Sequence, residues 1–160
     1  MDWSNWQPRE YANLCFIVKD GRVLLIRKKR GLGAGKINGP GGKLEPGETA
    51  LEAAIREVRE EICVTPLALE NRGVLRFQFT DGYSLHCVVF VARDCAGEPV
   101  ETVEATPFWV PIDAVPFDEM WEDDQHWLPQ VLDGQQFQGW FVFDGEKMLS
   151  KAVEFRPWAA

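Results

Sequence analysis

The sequence contains no apolar run approaching the roughly 18 to 20 residues that span a bilayer, which excludes a transmembrane helix. Histidine is scarce: His86 and His126 have no partner at metal-ligand spacing, so packing or surface roles are expected of them. The four cysteines, Cys15, Cys63, Cys87 and Cys95, show no C-x-x-C spacing and are expected to be reduced and mostly buried. Basic residues are outnumbered, 17 against 25 acidic, for a net charge of −8. That balance argues against a nucleic-acid polymer as partner, because broad binding to a phosphate backbone needs a basic surface. A free triphosphate is different, since a few local lysines and a metal can hold it. Internal repeats, low-complexity stretches and long linkers are missing as well. Residues Met1 to Asn5 carry no basic stretch followed by an apolar one, so a cytoplasmic protein is expected, with no membrane partner. With 160 residues and 46% hydrophobic content, a single domain over 1–160 is expected, acting as a monomer.

What the chain does contain is a glycine-rich turn followed directly by an amphipathic helix rich in carboxylates, from Gly42 to Val64. Thr49 with Glu52 three residues on fits a capping box, and Pro46-Gly47 before it is turn chemistry, so the helix start is well marked. At 100° per residue, Leu51, Ile55, Val58 and Ile62 form one apolar stripe while Glu57, Glu60 and Glu61 gather on another face. Three acids within two turns repel one another unless a cation neutralises them. Hard oxygen ligands suit magnesium or manganese rather than zinc. An ordinary solvated helix face is the bland alternative. Ahead of the helix, residues 31–42 hold six glycines, whose backbone can approach phosphate oxygens closely and cradle a pyrophosphate. The P-loop sequence is missing, because Lys43 is followed by Leu44.

The spacing G-x5-E-x7-R-E-x-x-E-E, carried by Gly42, Glu48, Arg56, Glu57, Glu60 and Glu61, resembles the Nudix box, with Val58 and Val64 at its apolar positions. Cys63 stands where the family usually has glycine, so an altered turn after the helix is expected. Residues 28–43 and 116–124 are similar to the oxidised-purine nucleoside triphosphatases of the MutT-like branch, and the likeness runs over most of residues 10–145. The resemblance implies an α/β/α sandwich around a mixed sheet, in the α+β class. It also implies Mg²⁺-dependent attack of water between the α and β phosphates, at the β phosphorus, releasing nucleoside monophosphate and pyrophosphate. Oxidised purine triphosphates such as 8-oxo-dGTP and 2-hydroxy-dATP are the implied substrates. A broader nucleotide pyrophosphatase and a regulatory domain that binds nucleotide without cleaving it are the alternatives.

By the same resemblance, Glu60 and Glu61 are the principal metal ligands, and Glu57 assists them directly or as a base. Arg56 orients the ridge, and Glu48 is a further candidate, either supporting the ligands or binding metal itself. The Gly42 carbonyl and Glu104 are further metal candidates, though a lone loop glutamate such as Glu104 is often merely solvated. Lys28 and Lys43 are expected to meet phosphate, Lys28 also matching a position near the base or sugar. Asn38, Phe77, Trp121, Asp123 and Asp124 are expected to hold the base, since an indole stacks on a purine while amide and carboxyl groups read its edge. If the two aspartates converge on a ligand, their mutual repulsion favours a protonated partner that donates to a base carbonyl. They could equally favour the start of the next helix. Leu32 and Ile37 stand where similar enzymes carry a phenylalanine and a tryptophan.

Alternation and turn residues predict strands over 14–19 and 22–28 around Asp20-Gly21, and over 74–80 and 85–92 around Asp81-Gly82. Further strands are expected at 109–110, 137–143 and 148–155. A helix is expected over 123–132, shortened or bent by Pro129. Trp3, Trp6 and Trp158 are expected to pack back onto the domain or to remain as exposed tails.

Overall fold

The computed structural model describes residues 1–157. Two hairpins build its framework. β1 (Glu10–Lys19) turns at Asp20 and Gly21 into the antiparallel β2 (Arg22–Lys28), and β5 (Thr65–Phe79) turns into β6 (Ser84–Ala96). β1 lies parallel to β6, β5 lies parallel to β8 (Gln135–Asp144), and β9 (Lys147–Pro157) closes one edge. The short β3 (Ile37–Asn38) and β7 (Ala105–Pro111) pair with β2, and β4 (Gly41–Lys43) pairs with β1. The sheet is therefore mixed, in the path β3-β2-β1-β6-β5-β8-β9. Every strand expected from the sequence is present, most of them longer than the local pattern indicated, and β3 and β4 lie where only a glycine loop was read.

The helix α1 (Ala50–Ile62) covers one face, opened by the expected capping box: Thr49 Oγ1 accepts from the Glu52 N–H at 3.1 Å and the Glu52 carboxylate accepts from the Thr49 N–H at 3.0 Å. Its buried side differs from the expected stripe. Leu51 is exposed and Ile55 only half-buried, whereas Ala53, Ala54, Val58, Glu61 and Ile62 are buried. The small alanines let the helix axis sit close to the sheet, where Ala54, Val58 and Ile62 pack with Cys15, Ile17, Leu24, Ile26 and Phe90. That shift brings Glu61 under the helix.

The helix ends at Cys63, whose φ of 65° is the left-handed conformation that a glycine adopts freely. The expected alteration of this turn is not seen: cysteine takes the glycine geometry, and its N–H bonds the Arg59 carbonyl at 3.0 Å.

The opposite face holds the larger core, in which Phe16, Leu75, Val89, Phe137, Phe141 and Phe143 meet Met120, Trp127, Leu128 and Val131. The segment supplying the latter is less helical than expected. It forms one-turn 3-10 helices at Phe117–Glu119 and Asp124–His126 and a short α2 (Leu128–Leu132), because Pro129 fits only the first turn of a helix. Helices thus flank a mixed sheet on both sides, the expected sandwich. Trp6 does pack back, its indole N–H donating to Gln78 Oε1 at 2.9 Å, and Trp3 meets it edge to face; Trp158 lies outside the described residues. The cysteines are free, with Cys15 and Cys87 buried, Cys95 partly so and Cys63 exposed, rather than mostly buried. No helix among the described residues is long and apolar enough to cross a membrane.

The packing predicts two separable losses. Ile62→Ala, at a position with no exposure, should cost about 2 to 5 kcal/mol, and Thr49→Ala only about 1 kcal/mol. Urea unfolding at constant m-value measures both.

Candidate active site

The glycines of β4 fit into a gap that admits no side chain. A Cβ on Gly41 would fall 2.1 Å from the Asn13 carbonyl oxygen of β1, and one on Gly42 would fall 2.5 Å from the Glu57 carboxyl carbon. Without those Cβ atoms the backbone lies directly against two carboxylates of α1. The Gly41 N–H donates to Glu61 Oε1 at 2.7 Å, and Asn13 Nδ2 donates to the Gly42 carbonyl at 3.2 Å. Glu57 and Glu61, one helical turn apart, point the same way into a cavity of about 400 Å³ that Gly41, Gly42, Lys28, Lys43 and Glu104 also line.

Burial dominates the electrostatics here. Glu61 is 4% exposed, and desolvation pushes its pKa to about 8 despite the Gly41 hydrogen bond. Desolvation also raises Glu57, against the pull of Arg56. Arg56 is the hub of the outer side: its guanidinium bonds Glu48 at 2.6 Å, Glu57 at 2.8 Å and Glu60 at 3.1 Å. The Arg56 hydrogen bonds hold Glu48 down at about 2 and raise Arg56 itself well above its ordinary value.

The acidic ridge read from the sequence is therefore divided. Glu57 and Glu61 face the cavity, whereas Glu60 is turned outward onto Arg56, one helical turn earlier, and does not line the cavity. Among the described residues no three His, Cys, Asp or Glu side chains converge on one point. The donors that fit a divalent cation are hard oxygens, Glu57, Glu61 and the Gly42 carbonyl, with Glu104 across the cavity and close enough to raise both glutamates. Lys43 reaches the cavity with its ammonium paired to Glu10 at 2.7 Å, and Glu104 is met by Arg30 at 3.4 Å.

A different wall comes from the segment before α2. Trp127 stacks on Phe137 at 4.9 Å between centroids, and its buried Nε1 donates to Asp123 Oδ2 at 2.8 Å. That bond aims Asp123, and Asp124 follows it; both are buried, and both line the cavity. Desolvation raises both carboxyls, and Asp123 raises Asp124 further. Trp121 stands beside them, edge-on to Phe79 and Phe143. Gly33 is pressed onto its indole, where a Cβ would meet Nε1 at 2.7 Å.

Asn38 and Phe77 complete the set, so all five residues expected to hold the base line one cavity with Lys28 and the α1 carboxylates. Leu32 lies at its rim, half exposed, while Ile37 is in the core. Sequence reasoning missed Asn13, Tyr83, Leu85 and Cys87, which also line it. Asn13, Leu85 and Cys87 arrive through pairing of β1 with β6 and β4, a long-range event with no local signature, and Tyr83 arrives in the β5–β6 turn.

Known proteins share this fold and much of this sequence. The NUDIX domain matches residues 8–131. The chain is 44% identical over 137 residues to the oxidized purine nucleoside triphosphate hydrolase of Danio rerio, covering 85% of this chain and 88% of that protein. To the mouse protein of the same name it is 40% identical over 142 residues, covering 88% and 91%. The crystal structure of a MutT protein from Bacillus halodurans superposes with a TM-score of 0.81 at 28% identity, covering 91% of this chain and 97% of that one. The glycine strand and paired glutamates thus sit within a fold and a sequence pattern that are shared along nearly the whole length, and the chain belongs to the Nudix family.

Proposed function

We propose that this protein hydrolyses oxidised purine nucleoside triphosphates, 8-oxo-dGTP first and 2-hydroxy-dATP after it, to nucleoside monophosphate and pyrophosphate. The observation that carries the reading is a single cavity bordered by Gly42, Glu57 and Glu61 on one side and by Asn38, Trp121, Asp123 and Asp124 on another. The first group suits a polyphosphate with its cation, and the second suits a purine. The relatives from Danio rerio and mouse, named for this activity and matched over most of their length, support it. β8 and β9 continue the same sheet beyond the matched stretch, which supports reading 1–160 as one Nudix domain. Free cysteines are consistent with a cytoplasmic nucleotide pool, and we read the enzyme as a monomer acting on small molecules.

Nudix hydrolases generally require a divalent cation, and we assign magnesium, with manganese able to replace it, to Glu57, Glu61 and the Gly42 carbonyl. When bound, the cation screens the phosphate oxygens and makes the attacking water more acidic. The chain's own residues do the rest. Glu57, held by Arg56 and half-buried, is the group to take the proton as the water oxygen attacks the β phosphorus. The bond from that phosphorus to the α-phosphate oxygen breaks, and the monophosphate leaves. Lys28 and Lys43 offset charge on the departing phosphates. Glu104 assists from the facing loop. Glu60 takes part only after leaving Arg56, so in this state it steadies the guanidinium that positions Glu57. On the other wall Trp121 stacks the base and Asn38 reads its edge. The raised aspartate pair keeps a proton with which to donate to a base carbonyl.

Glu57→Gln and Glu61→Gln should each lower kcat by about a hundredfold or more, the equivalent of about 3 kcal/mol in barrier height. Glu61→Gln should not lower Tm near neutral pH, because burial that pushes the carboxyl up to about 8 already keeps it largely neutral there, and the amide oxygen can still accept from the Gly41 N–H. Pyrophosphate release with Mg²⁺ and a panel of normal and oxidised triphosphates measures this. Equal rates on normal and oxidised substrates would favour a broader pyrophosphatase, and binding without turnover a regulatory domain.

The aspartate pair makes a stability prediction. Its folded pKa values lie above the ordinary 3.8, so the folded state holds more protons than the unfolded one, and stability falls as pH rises through that window. Asp124→Asn should flatten this fall and gain stability relative to the parent toward neutral pH. Urea unfolding across the range from about pH 4 to about pH 8 checks it.

A further inference from the structure

Glu10 opens β1 two residues before Ala12, which pairs with Lys43 of β4, and lies opposite Leu85 of β6, two residues after Tyr83. Register therefore puts it diagonally between a lysine and a tyrosine that both line the cavity, at a separation that long side chains span. Its carboxylate holds the Lys43 ammonium at 2.7 Å, and the Tyr83 side chain lies close enough to feel its charge. Glu10 itself is not part of the cavity lining. Lys43, which the proposed reaction sets against the substrate's phosphates, is thus already held by an anion of the protein from outside the cavity. The pair is partly solvated, with side-chain exposures of 63% for Lys43 and 34% for Glu10, so its strength is that of an exposed ion pair and a phosphate can displace the carboxylate.

We propose that Glu10 is an internal competitor for Lys43, an autoinhibitory contact that phosphate displaces on entry and that re-forms as phosphate products leave. The inference rests on the phosphate role given to Lys43 in the preceding section. An ammonium has three donors, but a carboxylate and a phosphate drawn to it together repel each other, so one is held closely at the expense of the other. Strand pairing does not settle which. It fixes the backbones of Glu10 and Lys43 and leaves two flexible side chains able to exchange partners. The competition lowers affinity for phosphate and shortens its stay, because a lysine reclaimed by Glu10 no longer retains product.

The test is calorimetric binding of pyrophosphate, with Mg²⁺, to the parent, Glu10→Gln, Lys43→Met and the double variant. Glutamine keeps the size of Glu10 and loses its charge. Glu10→Gln should bind pyrophosphate about two- to fivefold more tightly, the range an exposed ion pair gives, and Lys43→Met should bind it more weakly. In the double variant the gain from Glu10→Gln should vanish, since the contact acts through Lys43. In the parent, carrying lysine isotopically labelled at Cε, the Lys43 signal should move on adding pyrophosphate. Unchanged affinity in folded Glu10→Gln, an unmoved Lys43 signal, or the same gain with Lys43 already removed overturns the proposal; the last result would make Glu10 a general source of repulsion. If Lys43→Met binds pyrophosphate as the parent does, the phosphate role of Lys43 falls, and the proposal with it. If the parent binds no pyrophosphate, the phosphate reading of that wall itself falls.

Discussion

The approach of the β4 backbone to the α1 carboxylates is the constraint on which the site depends. Two residues without Cβ atoms place a strand within hydrogen-bonding distance of Glu61 and in contact with Glu57. The close fit has parts on both sides. Ala53 and Ala54 let α1 sit low on the sheet, and the capping box fixes where the helix begins, and with it the rotation of Glu57 and Glu61. A bulkier face on the helix or a side chain on either glycine would separate the carboxylates from the β4 backbone.

Burying carboxylates is costly, and the fold sustains it in two ways. Around α1, Arg56 pairs with Glu45, Glu48, Glu57 and Glu60, while Glu61 lies inside and accepts from the Gly41 N–H. On the other wall, Trp127 is locked by stacking on Phe137 and gives its indole N–H to Asp123, while Asp124 answers burial by holding its proton. The two walls therefore differ in character. One has acceptors that suit a cation, and the other has a mixture of donors and acceptors that suits the edge of a base.

Much of this was legible in the sequence because its signals are local. The capping box, the Asp-Gly hairpins and the glutamate spacing each lie within a dozen residues, and each marked its element correctly. The rotation of α1 was misjudged because periodicity weighs large apolar side chains, and Leu51 and Ile55 outweighed alanines that in fact face the sheet. Glu60 and Glu61 neighbour one another in sequence, yet one meets Arg56 and the other is buried under the helix. Pro129 limited α2 as its chemistry requires, but nothing local indicated that Trp127 would become the support for Asp123. Asn13, Leu85 and Cys87 reach the cavity through the pairing of distant strands.

The central claim is that Glu57, Glu61 and the Gly42 carbonyl together hold a divalent cation against a triphosphate. Anomalous diffraction from crystals soaked with Mn²⁺ and a non-hydrolysable purine triphosphate analogue tests it most directly. The account predicts a metal peak in the cavity within direct coordination reach of all three oxygens, with the purine against Trp121 and the aspartate pair. A peak on the outer side of α1 at Glu60 and Glu48, or a nucleotide bound away from the cavity, would contradict it.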